Sequence, residues 1–259
     1  MLKLSNLKID PEFSAQILPL SFEELQQLEQ NIIAEGRLLN PIITWNGYIL
    51  DGHTRYRILK KHGFIKFEVE EIQLANKYEA LAWICKNQLG RRNLSPERKK
   101  FLLGKEYEST KLAVGGQPGN CNKVNRCDQN DHIDSEKRTC ERIAVEHGVG
   151  SATVRRAEKY MNGVEAADEA APGAREEILN GKIKAADREI CAIAKAPKEQ
   201  RPEIVAELRK PKSERDKQLA SSTKSPSAKG EAFDDDGSRF LIGISKKVQG
   251  HKRALTESN

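Results

Sequence analysis

No run of apolar residues in this sequence approaches the roughly 18 needed to span a bilayer. The first residues, Met1-Leu2-Lys3, lead into polar sequence rather than into the apolar segment of a signal peptide. Both absences set membrane and export classes aside, and the chain is expected in the cytoplasm. Aromatic residues are scarce, at 5% against 32% charged, so large parts are expected to be helical and solvated. Cysteine supplies no disulfide framework, because the five present are odd in number and scattered. Cys85 and Cys191 fall at apolar positions of expected helices, where a thiol serves as a small core residue. Cys121, Cys127, His132 and Cys140 are spaced unlike the usual Cys-x2-Cys or Cys-x4-Cys ligand pairs, so no metal site is expected there. There is no internal repeat, and no heptad pattern marks a dedicated dimerisation coil.

What the sequence does have is positive charge and strong local punctuation. A formal net charge of +6 over 259 residues favours a polyanionic partner, although the excess alone does not name one. Ser21-Phe22-Glu23-Glu24 is a capping box opening an amphipathic helix with Leu25, Leu28 and Ile32 on one face, closed by Gly36. Asn46-Gly47 joins Pro41 to Trp45 and Tyr48 to Leu50 as a hairpin. A strand is expected within Phe67 to Leu74. A helix is expected over Lys77 to Gln88, with Tyr78, Leu81, Ile84 and Cys85 at core spacing. The polar run from Gly115 to about Glu136 reads as a long linker, and Lys210 to Glu231 as a flexible Ser, Lys and Pro segment. In the tail, Phe240-Leu241-Ile242-Gly243-Ile244 after Asp234-Asp235-Asp236 is the one apolar patch.

Two segments carry most of the functional information. In Asp51-Gly52-His53-Thr54-Arg55-Tyr56-Arg57 a glycine turn delivers polar and cationic side chains onto the start of a helix running from Thr54 to about Lys61. Unpaired N–H groups, the helix dipole, Arg55 and Arg57 suit a phosphate there. The turn by itself fits equally a plain hairpin-to-helix junction with solvated arginines. The other segment is Thr139 to Ala157, with a small Ala144 for a close helix crossing, Gly148 for the turn, and Ile143, Val149 and Val154 to lock the pair. That is the helix-turn-helix pattern. Its second helix is read with Ser151 as N-cap and with Ser151, Ala152, Thr153, Arg155, Arg156 and Lys159 as DNA-binding residues. Arginine can hydrogen-bond guanine through two donors, and both kinds of cation can hold phosphates. An ordinary helical hairpin with a charged outer face is the alternative, and the basic face tips the choice to DNA.

Asn87-Gln88-Leu89-Gly90-Arg91-Arg92-Asn93-Leu94-Ser95-Pro96 precedes another helix, with Ser95 as N-cap and Pro96 at its first position. With Asn40-Pro41-Ile42 and Gly52-His53-Thr54-Arg55-Tyr56-Arg57, it gives residues from about Ile9 to Lys111 an order and spacing that resemble the N-terminal domain of the ParB partition proteins. The resemblance implies an α+β chain: a small mixed ParB/sulfiredoxin-like domain over residues 1–95, then an all-helical domain over 96–210. The helical domain carries the helix-turn-helix at 139–160 and a flexible insert at 112–137, and a disordered tail covers 211–259.

The resemblance further implies a sequence-specific DNA-binding protein of plasmid or chromosome partition, or of transcription control on a mobile element. Its partners would be double-stranded DNA, a second copy of itself and a partition ATPase, and it would be associated with nucleoid or plasmid. CTP or another nucleotide is the implied ligand, held by Gly52, His53, Thr54, Arg55, Arg57, Asn87, Arg91 and Arg92. His53 and Lys86 stand where the family carries acidic residues, which removes oxygen ligands for a hard cation. Weak metal dependence and at most weak hydrolysis are therefore expected. The alternative class is an enzyme on the ParB/sulfiredoxin fold, whether CTPase, phosphotransferase or nuclease. Neither a sulfiredoxin-like cysteine in the turn nor an evident catalytic acid pair accompanies it.

Overall fold

The structure, a computed structural model, describes residues 4–91, 93–114, 138–211 and 215. Most of the expected insert and tail, together with Cys121, Cys127, His132, Arg92 and the Phe240 segment, lies outside the described residues. The described chain forms two compact units. Residues 4–91 with 105–114 and 138–143 make an N-terminal unit, and residues 93–104 with 144–211 and 215 make a helical one. No described helix is long and apolar enough to cross a membrane.

The N-terminal unit is mixed α+β. Asp10 caps α1 (Pro11–Ser14) by accepting from the Glu12 and Phe13 N–H groups. α2 (Phe22–Glu35) carries the full capping box, with the Ser21 hydroxyl accepting from Glu24 N–H and the Glu24 carboxylate accepting from Ser21 N–H. Gly36 at φ 63° ends it in the left-handed conformation that glycine adopts without a Cβ penalty. β1 (Ile42–Trp45) and β2 (Tyr48–Asp51) pair antiparallel, with a register shift between Ile43 and Thr44. Both turn residues have positive φ, 48° at Asn46 and 76° at Gly47, as a turn matching strand twist requires.

α3 (His53–Lys61) follows, then β3 (Val69–Glu71), which pairs parallel to β1, so the sheet order is β2-β1-β3. The ladder occupies only the centre of the segment expected as a strand. α4 (Lys77–Leu89) is capped by Asn76, whose side chain accepts from the Tyr78 and Glu79 N–H groups.

Two apolar clusters hold this unit. One gathers Leu7, Ile32, Ile42, Ile49, Ile58, Leu59 and Ile65, and the other Phe13, Leu50, Ala80, Leu81 and Ile84. Trp45 and Tyr48 pack against Phe13 with ring centroids 6.4 Å away. The Trp45 indole N–H donates to the Leu74 carbonyl at 2.9 Å, and the Tyr56 hydroxyl to the Leu7 carbonyl at 3.1 Å. Burying a side chain such as Phe13 contributes roughly 1.5–3 kcal/mol. The expected faces are only partly covered, since Leu25 is 38% exposed and Tyr78 is 40% exposed.

α5 (Pro96–Ala113) starts as expected, with the Ser95 hydroxyl accepting from Arg98 N–H at 3.2 Å. Its first half belongs to the helical unit and its second half to the N-terminal one. After α6 (Thr139–Glu146) comes α7 (Ser151–Ala170), which buries Val154, Ala157, Met161, Val164 and Ala167. α8 (Ala174–Leu179), α9 (Asp187–Lys195) and α10 (Arg201–Leu208) complete the unit with Ile178, Leu179, Ile190, Ile193, Ile204, Val205 and Leu208. Buried Arg98 reaches the Glu176 carboxylate at 2.5 Å and the Asn180 side-chain oxygen at 3.1 Å. Its charge is thereby paired rather than stranded in the core. Cys85 is buried, as its core position leads one to expect; Cys140 is buried too, and Cys191 is only half-buried, with burial pushing its thiol up.

Candidate functional site

One backbone conformation builds the turn between β2 and α3. Gly52 lies at φ 97° ahead of the helix, and no side chain caps it. A Cβ at that position would be strained by φ and would come within 3.1 Å of the Arg55 guanidinium. The Tyr56 N–H donates to the Gly52 carbonyl at 2.8 Å. The N–H groups of His53, Thr54 and Arg55 precede that bond, as the first donors of any helix do, and suit an anion.

Around this helix start, Asp51 ties an arginine of α3 to one in the segment that follows α4. Its Oδ2 accepts from Arg55 Nη2 at 2.7 Å and its Oδ1 from Arg91 Nη2 at 3.4 Å. Arg55 also donates to the Asn40 carbonyl at 3.5 Å. Asp51, Gly52, His53, Thr54, Arg55 and Arg91 line a cleft of about 360 Å³. The rest of the lining is largely apolar, with Ile17, Leu18, Leu20, Leu28, Ile32, Leu38 and Leu39, and includes the polar residues Asn31, Glu35, Arg37 and Asn40. A site with cations and helix N–H groups beside an apolar surface suits a phosphorylated organic molecule.

His53 is 4% exposed, and neither ring nitrogen has a hydrogen-bond partner among the described residues. Burial pushes its pKa down to about 4; the positive charge of Arg57 adds to the effect, and Asp51 opposes it. At neutral pH the ring is therefore uncharged and offers one donor and one acceptor rather than a positive charge.

Not every residue expected at this site is there. Arg57 is exposed and does not line the cleft. Two positions along a helix are about 200° apart, so Arg55 and Arg57 leave α3 on different sides. Asn87 is likewise exposed and off the cleft, whereas Arg91, beyond the end of α4 at Gly90, reaches it. Asp51, the first residue of the sequence motif, is a site residue that the motif does not single out. Its i,i+4 spacing to Arg55 was the available signal, whereas nothing local could pair it with Arg91.

In the helical unit, Gly148 at φ 64° makes the turn after α6, with Val149 N–H donating to the Ala144 carbonyl at 2.9 Å. Ala144 is buried at 5% exposure, whereas Val149 is only partly covered, at 36% exposed. Gly150, not Ser151, occupies the cap position of α7. Its carbonyl accepts the Thr153 N–H at 2.8 Å, which makes Ser151 the first helical residue. Along α7, Ala152, Arg155, Arg156 and Lys159 are exposed, Ser151 and Thr153 are half-buried, and Val154, Ala157 and Tyr160 are buried. One face is thus cationic and the other packed.

No protein-family model matches the chain, and no curated protein matches it. Among solved structures, it is similar to the C-terminally truncated chromosome-partitioning protein ParB from Caulobacter crescentus complexed to the centromeric parS site. That likeness has 17% identity, covers 86% of this chain and 91% of that one, and has a TM-score of 0.36. It is also similar to a Pnob8-like ParB-N domain, with 14% identity, 81% of this chain and 96% of that one covered, and a TM-score of 0.42. Both are ParB structures, and at these scores no residue role passes from them to this chain.

Proposed function

We propose that this is a DNA-binding protein of ParB type, acting in plasmid or chromosome partition or in transcription control on a mobile element, and gated by a nucleotide in the N-terminal cleft. The observation that carries the DNA reading is the exposed face of α7, where Ala152, Arg155, Arg156 and Lys159 follow a glycine turn. A cationic helix face directly after such a turn is what major-groove recognition uses. Double-stranded DNA is the partner, read by a homodimer on paired half-sites. A partition ATPase is the further partner that the motif resemblance implies.

For the cleft, the unpartnered ring of His53 and the Arg55 guanidinium beside Gly52 fit a phosphate-bearing ligand. Gly52, His53, Thr54, Arg55 and Arg91 are the residues that would hold CTP or another nucleotide. His53 and Lys86 stand where the family carries acids, so the expected binding depends little on a divalent metal.

Two measurements test these parts separately. Against fragments selected from the host genome, Arg155→Ala and Arg156→Ala should each weaken specific binding by about 1–3 kcal/mol if the side chain reads a base edge. Both residues are exposed, so the melting temperature should hold. Wild-type affinity in both variants would remove α7 from the binding account. By isothermal titration, wild-type protein should bind CTP or another nucleotide, and Arg55→Ala should lose that binding, because alanine replaces neither the charge nor the paired donors. Equal nucleotide affinity in Arg55→Ala would move the ligand away from this turn.

A further inference from the structure

The phosphate-binding end of the cleft already contains an anion of the protein's own. We propose that Asp51 is a built-in competitor for the cleft's ligand: its carboxylate occupies Arg55 and Arg91 until a polyphosphate displaces it. This rests on the phosphate-binding reading above and adds the ligand class and the selection step.

Asp51 spends one oxygen on each arginine, at 2.7 Å to Arg55 and 3.4 Å to Arg91. Charge-assisted N–H···O bonds are typically about 2.7–2.9 Å, so the Arg55 arm is strong and the Arg91 arm slack. The Arg91 arm is therefore the one to release first. With Asp51 in place, the two guanidiniums and the carboxylate sum to one positive charge. With Asp51 displaced, both cations face the incoming ligand. His53 adds no charge to this sum, since burial keeps its ring neutral. Its two unpartnered ring nitrogens, on a side chain only 4% exposed that lines the same cleft, point to a ligand with polar atoms of its own.

A competitor tethered within the site acts at an effective concentration of roughly millimolar or above. Every ligand meets the same cost, so ligands with a single charge gain little, whereas a pyrophosphate or triphosphate group gains contacts with both arginines. Two other roles for Asp51 make the opposite prediction. A carboxylate that binds a phosphate-bridging metal, or one that merely aims the arginines, is needed for binding, and its loss would weaken affinity.

The test is calorimetric titration of inorganic pyrophosphate and of CTP into wild-type protein, Asp51→Asn and Asp51→Ala, each in EDTA and in magnesium, with thermal melts to show that all three are folded. The proposal expects both variants to bind both probes at least about tenfold more tightly than wild type in EDTA. Weaker binding in the variants, while wild type binds CTP, would overturn the competitor role and leave the nucleotide reading standing. No binding of either probe by wild type and variants alike would overturn both.

Discussion

Gly163→Ala should lower the melting temperature of the helical unit by about 10 °C or more, one of the two largest effects expected for this protein. A Cβ on Gly163 would lie 2.2 Å from the Ile190 carbonyl oxygen and 2.7 Å from its carbonyl carbon. Unbonded heavy atoms are comfortable at about 3.5–4.0 Å, and the clashing atoms are backbone, so no rotamer change relieves them. α7 and α9 would have to separate along a seam that buries Val164, Ile190 and Ile193. Alanine improves intrinsic helix propensity over glycine by about 1 kcal/mol. Overpacking costs about 1–3 kcal/mol and more when the backbone must move, so the clash outweighs the gain. Gly104→Ala should act in the same direction, since its Cβ would lie 2.3 Å from the Ala157 carbonyl oxygen. Differential scanning calorimetry decides it, and a melting temperature at or above wild type in either variant would refute the close crossing.

The second large effect is on pH dependence. His53 has a folded pKa of about 4 against an ordinary value of 6.5. A base with a depressed folded pKa favours the unfolded chain once that chain takes up a proton. Its contribution to stability is therefore complete above pH 6.5 and is lost as pH falls toward 4. The full difference is about 3 kcal/mol, of which about 2 should be gone by pH 5. The range from pH 6.5 to 5 separates it from most of the carboxylates, which include Asp10 and Glu29, both held below their usual values. Urea unfolding of wild type and His53→Gln across that range should give converging stabilities as pH falls, with the variant curve the flatter. Parallel curves would mean that the ring is solvated and titrates normally.

Much of this molecule depends on residues close together in sequence, and that part was legible beforehand. The Ser21 and Glu24 box, the Asn46-Gly47 hairpin, the Gly52 turn, the Ser95-Pro96 helix start and the Gly148 turn each involve a few neighbouring residues. Propensity, capping and positive φ decide such features without help from the rest of the chain. Helical periodicity likewise separated the exposed Arg155, Arg156 and Lys159 from the buried Val154. Tertiary structure alone decided how deeply each face is covered and which distant groups meet. It left Leu25 and Tyr78 half in solvent, paired β3 parallel to β1, and buried His53 as a neutral ring. It sent Arg57 and Asn87 away from the cleft while bringing Arg91 to Asp51, and it pressed α7 against neighbouring backbone at Gly104 and Gly163. The reason is physical: periodicity says which side chains share a face, whereas desolvation, ion pairing and close packing depend on what the folded chain lays over that face.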